Sequence, residues 1–252
     1  MKVTVLGAGS SAGTPVIGCE CSVCQTRLPK NVRTRASCHI LDEATSIVID
    51  TGPDFRSQAL RENLKHLDAV LYTHPHADHL NGIDDLRAFC FRQKAAIPLY
   101  GNAFTIENIQ TRFDYTLFPP TEHWERPVLT ANSVDVPFDV NQTIVVPIPL
   151  LHGKWPILGY RIKNVAWLTD VSTIPETSFE LLSGLDVLFL DCLRFKPHYT
   201  HLSLDEAVSL SQKIGAKQTY LIHMTHEIDA VAHANLLPEA VAFAFDGMQV
   251  TV

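Results

Sequence analysis

The sequence predicts an α+β protein in which two mixed β-sheets pack together with helices on the outside. Three observations carry that expectation. Short runs of β-branched and apolar residues recur from one end of the chain to the other. Helical patterns are sparse early in the chain, and strands cluster at both ends, which a simple doubly wound parallel sheet would not give. The 252 residues, 46% of them hydrophobic, suffice to bury a full core.

The expected strands are 2–6, 45–50, 69–73, 143–149, 158–162, 165–169, 187–191, 219–222 and 240–245. Near the end, Phe245-Asp246-Gly247-Met248 sets an Asp-Gly turn between two apolar runs and predicts a hairpin. Helices are expected over 57–65, 82–92, 103–113, 174–183 and 204–214. The last has a defined start, because Ser203 followed by Glu206 is a capping box in which each side chain reaches a backbone N–H of the other. The segment 118–139, with Pro119, Pro120, Pro127 and Pro137, reads as a surface excursion. No fixed-period repeat, low-complexity tract or linker interrupts the chain, so residues 1–252 are expected to form a single domain.

Composition excludes several function classes. A net charge of −7 and a mean hydropathy of +0.07 belong to an ordinary soluble protein, and no apolar run approaches the ~20 residues of a membrane-spanning helix. Met1–Leu6 passes from one lysine straight into a strand, without the apolar core of a signal peptide, so a cytoplasmic location is expected. A pI near 5.9 disfavours extended nucleic acid as a partner, and any anionic substrate must then be held by local positive charge. Twelve histidines, about one residue in twenty-one, direct attention to metal binding.

The strongest local signal is His74-Pro75-His76-Ala77-Asp78-His79, an H-x-H-x-D-H pattern that follows an apolar strand. Chance matches to it number ~0.002 per chain of this composition. A turn at a strand's carboxyl end can aim several imidazoles and a carboxylate at one point, as a metal centre requires. His152, Asp170 and His223 each stand at the end of a further apolar run. Seven N and O donors are too many for one zinc and suit two metals sharing a carboxylate.

A second constellation is Cys19-Glu20-Cys21-Ser22-Val23-Cys24. Cysteines so close together do not easily pair with one another, and the spacing reads as three thiolates of a tetrahedral zinc. Cys38, His39 and His226 are the candidates for the fourth ligand. The glycine-rich loop Gly7–Gly13 does not fit a dinucleotide fingerprint, since its third glycine is one residue late and Thr14-Pro15 follows where a helix should open. It is expected instead to be a flexible loop lining the cleft, with N–H groups available to phosphate.

The order H-x-H-x-D-H, then His152, Asp170 and His223, resembles that of the metallo-β-lactamase-fold hydrolases, and Asp50-Thr51-Gly52 after a strand matches that family's first motif. The resemblance runs from Val3 to Asp246 and implies an αββα sandwich with a dinuclear site. By it, His74, His76 and His152 hold one divalent ion, Asp78, His79 and His223 hold the other, Asp170 bridges them, and Asp50 orients the ligand loop. Ligand type leaves zinc and manganese both open. The block from Gly7 to Cys24, with the spacing G-x-G-x-x-x-G-x-P-x-x-G-C-x-C-x-x-C, is similar to the carbon–phosphorus lyase accessory phosphodiesterases (PhnP-like) within that family. There the fourth ligand of a structural zinc is the histidine three residues after the last active-site histidine, which here is His226. The resemblance also gives His201, in a H-x-S-x-x-E-A context, a role on the leaving alkoxide or the phosphate, and makes a homodimer the family habit.

These readings imply a metal-dependent hydrolase of a small or cyclic anionic phosphodiester, and the resemblance implies phosphoribosyl 1,2-cyclic phosphate or a nucleoside 2′,3′-cyclic phosphate as the substrate type. A metal-bridged hydroxide would be the nucleophile, and Asp78 and His201 would serve the chemistry. Two alternatives share the motif: a thioesterase or lactonase of the glyoxalase II type, and a non-catalytic cofactor-binding protein like the pyrroloquinoline quinone biosynthesis member of the fold. His123, His198 and His233 read as solvent-exposed, Cys90 and Cys192 as small buried hydrophobes, and Asp54 and Arg56 as either site neighbours or a loop ion pair.

Overall fold

The computed structural model describes residues 1–119, 121–122 and 129–252. Its strands form two seven-stranded mixed sheets, as the α+β reading requires. The first sheet runs, edge to edge, β14 (Gln249–Thr251), β1 (Lys2–Gly7), β2 (Ser37–Asp42), β3 (Thr45–Ile49), β4 (Ala69–Leu71), β5 (Pro98–Gly101) and β6 (Thr130–Ser133). Pairing is antiparallel from β14 to β3 and parallel from β3 to β6. The second sheet runs β13 (Val241–Phe243), β12 (Gln218–Ile222), β11 (Val187–Asp191), β10 (Val165–Leu168), β9 (Trp155–Ile162), β8 (Thr143–His152) and β7 (Phe138–Val140). It is parallel from β13 to β10 and antiparallel beyond.

Strand alternation explains the layers. In β3 and β4, Ile47, Ile49, Ala69 and Leu71 point into a core shared with the second sheet, where they meet residues such as Trp167, Leu188 and Leu190. Val48 and Val70 point the other way, into a smaller core with Phe55, Leu86, Phe89, Ile106 and Ile109. Those last residues come from α2 (Phe55–Arg61), α4 (Leu86–Gln93) and α5 (Ala103–Arg112). Because both faces are covered, these strands read as continuous apolar runs. α1 (Ser22–Thr26) and α3 (Ala77–Leu80) are single turns beside the candidate site. On the second sheet α6 (Leu204–Ile214) buries Leu204 and Ala207, opens on the expected Ser203/Glu206 capping box and closes on Gly215 at φ 72°.

Three expectations need correction. The Asp246-Gly247 turn forms, but it joins no hairpin: β13 pairs with β12 in one sheet and β14 with β1 in the other. The turn is tied to the first sheet instead. The Asp246 carboxylate accepts from the N–H groups of Ala8 and Thr34, and Gly247 N–H bonds to the Val5 carbonyl. The expected helix 174–183 is two short 3₁₀ turns, Glu176–Ser178 and Glu180–Leu182, because Pro175 holds extended backbone and the Ser178 hydroxyl is spent on the Pro149 carbonyl. The segment 118–139 is not wholly an excursion, since it supplies β6 and begins β7; Pro120, His123 and Pro127 lie outside the described residues.

Candidate metal centre

The predicted donors gather where strand ends from both sheets meet. His74 and His76 follow β4, α3 carries Asp78 and His79, and His152 ends β8. Asp170 follows β10 and His223 follows β12. Asp50, Asp170 and His223 all leave their strands in the left-handed region, at φ 61°, 59° and 60°. That conformation costs a non-glycine residue energy, and it turns each side chain across the end of the sheets toward the others. Gly52 lets the Asp50 loop close on α3: a Cβ there would collide with the Asp78 carbonyl.

Two donor groups result. His74, His76 and His152 form one, and Asp78, His79, Asp170 and His223 the other, with the donor atoms in each group within 4.8 Å of one another. Asp170 lies between them: one oxygen is 3.8 Å from His74 Nε2 and 3.3 Å from His223 Nε2, and the other is 3.2 Å from His79 Nε2. Hydrogen bonds fix which ring nitrogen faces inward. His79 Nδ1–H donates to Asp50 at 2.8 Å, His74 Nδ1–H donates to the Thr73 hydroxyl at 3.0 Å, and that hydroxyl donates to Asp50 at 2.8 Å. His152 Nδ1–H is shared between the carbonyls of Asp170 and Thr200. Each turns Nε2 toward the other donors, with His74 Nε2 3.0 Å from His76 Nδ1, and gives the outer support that metal-binding histidines require. Asp50 thus holds the ring of His79 directly and that of His74 through Thr73.

The electrostatics fit a cation. Burial pushes the imidazoles of His74, His76 and His152 below their ordinary range, so all three are neutral donors. Burial also opposes charge on His79, yet Asp170, Asp78 and Asp50 outweigh it and raise that ring well above its usual value. Burial opposes charge on Asp170 too, but His223, His79 and His74 hold it well below the carboxylate range. Among the described residues, the Nε2 atoms of His79 and His223 are buried without a hydrogen-bond partner, at positions a metal would satisfy.

The cysteine cluster converges on a single imidazole. His226 Nδ1 lies 3.2, 3.3 and 3.5 Å from the sulfurs of Cys19, Cys21 and Cys24, against a ligand–ligand edge of ~3.5 Å in a tetrahedral Cys₃His zinc site. The Cys21 thiol is pulled down to about 6, chiefly by the Cys24 backbone N–H, with burial opposing and His226 assisting. The other two candidates are elsewhere: Cys38 is in the inter-sheet core and His39 bonds the Ser46 hydroxyl.

A cavity of about 870 Å³ opens over the donors, with His201 in its wall. His201 Nδ1–H donates to Asp191 at 3.2 Å, and its Nε2 lies 3.9 Å from Asp170. Burial opposes charge on this ring, but Asp191 overrides it and raises the pKa to about 9. Asp191 is a residue that sequence reasoning missed. It carried the same signal as Asp170, an aspartate ending an apolar strand, and it also accepts from the N–H groups of Asp170 and Leu202.

Other expectations are corrected here. The Gly7–Gly13 loop offers few N–H groups to phosphate: those of Ala8, Gly9, Ser10 and Gly13 are bonded to Asp246, Thr34, Met224 and Ser10, and only Ser11 of this loop lines the cavity. His198 is half-buried in the cavity wall, bonded to Thr200, and His233 is half-buried, accepting from Asp229 N–H. Asp54 forms a loop ion pair with Arg35 at 3.0 Å, and neither Asp54 nor Arg56 reaches the cavity. Cys90 and Cys192 are buried, as expected.

Comparison with known proteins agrees with this geometry. A beta-lactamase superfamily domain matches residues 45–224. The solved structure of a diphosphatase from the PhnP family superposes with a TM-score of 0.93 at 40% identity, covering 100% of this chain and 97% of that one. Zinc-bound PqqB from Methylobacterium extorquens superposes at 0.82 over the full length of both chains, but at 17% identity it shows the fold alone. An octanoyltransferase from Porphyromonas gingivalis is 36% identical over 100% of this chain and 52% of its own length. The chain spans about half the length of the curated relatives it matches. No helix among the described residues is long and apolar enough to cross a membrane. With two mixed sheets, the superfamily match and the clustered metal donors, the chain belongs to the beta-lactamase superfamily, has the metallo-β-lactamase fold and closely resembles the PhnP-like proteins.

Proposed function

We propose that the chain hydrolyses a small or cyclic phosphodiester with two divalent ions, zinc or manganese. One would be held by His74, His76 and His152, the other by Asp78, His79 and His223, with Asp170 between them. Cys19, Cys21, Cys24 and His226 would hold a separate zinc that staples the N-terminal loop to the segment after β12. The observation that carries the reading is the convergence of seven N and O donors, two of them buried histidine nitrogens without other partners. When bound, two such ions polarise phosphoryl oxygens and lower the pKa of a water between them.

The chain's own residues supply the rest. Asp50 and Thr73 lock the ring orientations of His79 and His74, so the donors are organised before substrate arrives. Asp191 keeps a proton on His201 at neutral pH, and from Nε2 that proton can pass to the departing alkoxide, a poor leaving group. Asp78 adds a carboxylate at the cavity floor. The PhnP-family diphosphatase, 40% identical over the full chain, supports phosphoryl chemistry. The octanoyltransferase name belongs to a relative with about as much sequence again outside the match. The same reading takes residues 1–252 as one catalytic domain, a homodimer by family habit, in a reducing compartment suited to six unpaired thiols.

The test is parallel turnover of bis-p-nitrophenyl phosphate, a nucleoside 2′,3′-cyclic phosphate and a glutathione thioester by the metal-loaded protein. Hydrolysis of the phosphodiesters is expected. Turnover of the thioester alone would move the chain to the glyoxalase II type of chemistry.

A further inference from the structure

One guanidinium closes the metal-ligand loop from outside the cavity. Arg112, at the end of α5, donates from one Nη to the Pro75 carbonyl at 2.6 Å and from the other to Asn81 Oδ1 at 2.7 Å. Pro75 stands between His74 and His76, and Asn81 ends the turn of α3 that carries Asp78 and His79. Pro75 is buried, and among the described residues no other donor reaches its carbonyl. An arginine fork holds two acceptors at once, and a buried carbonyl left without a donor is costly. The opposite end of α5 is tied to the third histidine. Asn102 caps the helix by accepting from Thr105 N–H and donates to the Pro156 carbonyl at 2.8 Å. Trp155 and Pro156 open β9, where Trp155 pairs in register with His152. The Phe104 ring lies 5.4 Å from that of Trp155, which stands with Tyr199 on the exposed rim of the cavity. The Trp155 ring in turn lies 4.9 Å from that of His76. Between these ends, Ile106 and Ile109 fix the helix in the smaller core.

Outer support is uneven among the donors. His74 leans on Thr73, His152 on two carbonyls and His79 on Asp50. The His76 ring has, among the described residues, no hydrogen bond except the one it shares with His74. Its position rests on the backbone at Pro75 and on the Trp155 ring, and α5 braces both. α3 is held independently, since Thr51 N–H bonds the His79 carbonyl and Gly82 N–H bonds the Thr51 carbonyl. We propose that Arg112 is a positioning residue of the metal centre, fixing His76 against His74 and His152 from the far side of the loop. This rests on the two-ion reading above. Its consequence is selective. The ion held by the three histidines depends on Arg112, whereas the ion at Asp78, His79 and His223 and the zinc at the cysteines do not. Nothing in the sequence marks Arg112, which stands 37 residues from Pro75 and in no motif.

The experiment is competition between a chelator and the zinc-loaded protein, run on the parent, Arg112→Ala, Arg112→Lys, His76→Ala and the Arg112→Ala/His76→Ala double variant. Elemental analysis and a melting curve at saturating zinc accompany each. Arg112→Ala is expected to weaken one cavity ion about 10-fold, the lower end of what losing an outer support costs. The other cavity ion, the cysteine zinc and Tm should stay near the parent's, since Arg112 is exposed. Arg112→Lys keeps the charge without the fork and should recover part of the affinity. In the His76→Ala background, Arg112→Ala should cost nothing further, because its effect passes through His76. Unchanged zinc affinity in Arg112→Ala, an equal loss at the cysteine site, or a full further loss in the double variant would each overturn the proposal. Fewer than two ions beyond the cysteine zinc in the parent would remove the two-ion reading and the proposal with it. Two ions held equally tightly by parent and Arg112→Ala would remove the proposal alone.

Discussion

Asp191 and His201 are joined by a 3.2 Å hydrogen bond from Nδ1–H to the carboxylate, across ten residues of chain that leave one strand end and return to the cavity. The same carboxylate is anchored by Leu202 N–H at 2.9 Å, so the imidazole is held by a group that is itself fixed. A histidine kept cationic in this way can give up a proton where the leaving group departs.

His201→Ala is therefore expected to lower kcat by about 10²–10⁴-fold on substrates with alkoxide leaving groups. It should cost far less on p-nitrophenyl esters, whose leaving group needs no proton. Steady-state kinetics on both substrates check this. Equal losses would assign His201 to phosphate binding.

Asp50 is fully buried and reaches two metal-site histidines, one directly and one through Thr73. Asp50→Asn keeps its shape and removes its charge. Metal affinity at the candidate centre should fall about 10- to 100-fold, read by competition with a chelator. Unchanged affinity would make Asp50 a packing residue only.

The cysteine cluster lies apart from the cavity, and Ser10 N–H bonds the Met224 carbonyl two residues before His226. Cys21→Ser should remove about one zinc per chain and lower Tm, while costing catalysis on a good leaving group much less. A wild-type melting curve and zinc content would refute the staple.

His39 offers a pH test away from the metal centre. Burial, with Lys2 nearby, lowers its pKa from 6.5 to about 4. The unfolded chain therefore takes up this proton first as pH falls. The stabilising contribution of neutral His39 is complete above about pH 6.5 and is lost as the pH falls toward 4. Relative to His39→Gln, the parent protein should lose at most about 3 kcal/mol across that window in denaturant titrations. Parallel curves for the two proteins would contradict the assignment.

The fold was legible where strands are buried on both faces, because 47–49, 165–168 and 187–190 are unbroken apolar runs. β2 escaped notice because Cys38 and Ile40 face the core while His39 and Leu41 face outward among polar neighbours, leaving no apolar run. The hairpin expectation failed because local turn chemistry does not say which sheet each arm joins, and Asp246 decides that through contacts more than 200 residues away in sequence. At the site, motif and strand-end signals picked out the seven donors that cluster and passed over Asp191. The cavity rim was hidden, since exposure of Trp155 and Tyr199 is a property of packing alone.

The most direct test of the central claim is metal stoichiometry by elemental analysis, on the parent protein and on His79→Ala and Cys21→Ser. About three ions per chain are expected in the parent, with loss confined to the cavity in the first variant and loss of about one zinc in the second. One ion per chain or fewer in the parent, after reconstitution with zinc or manganese, would contradict it.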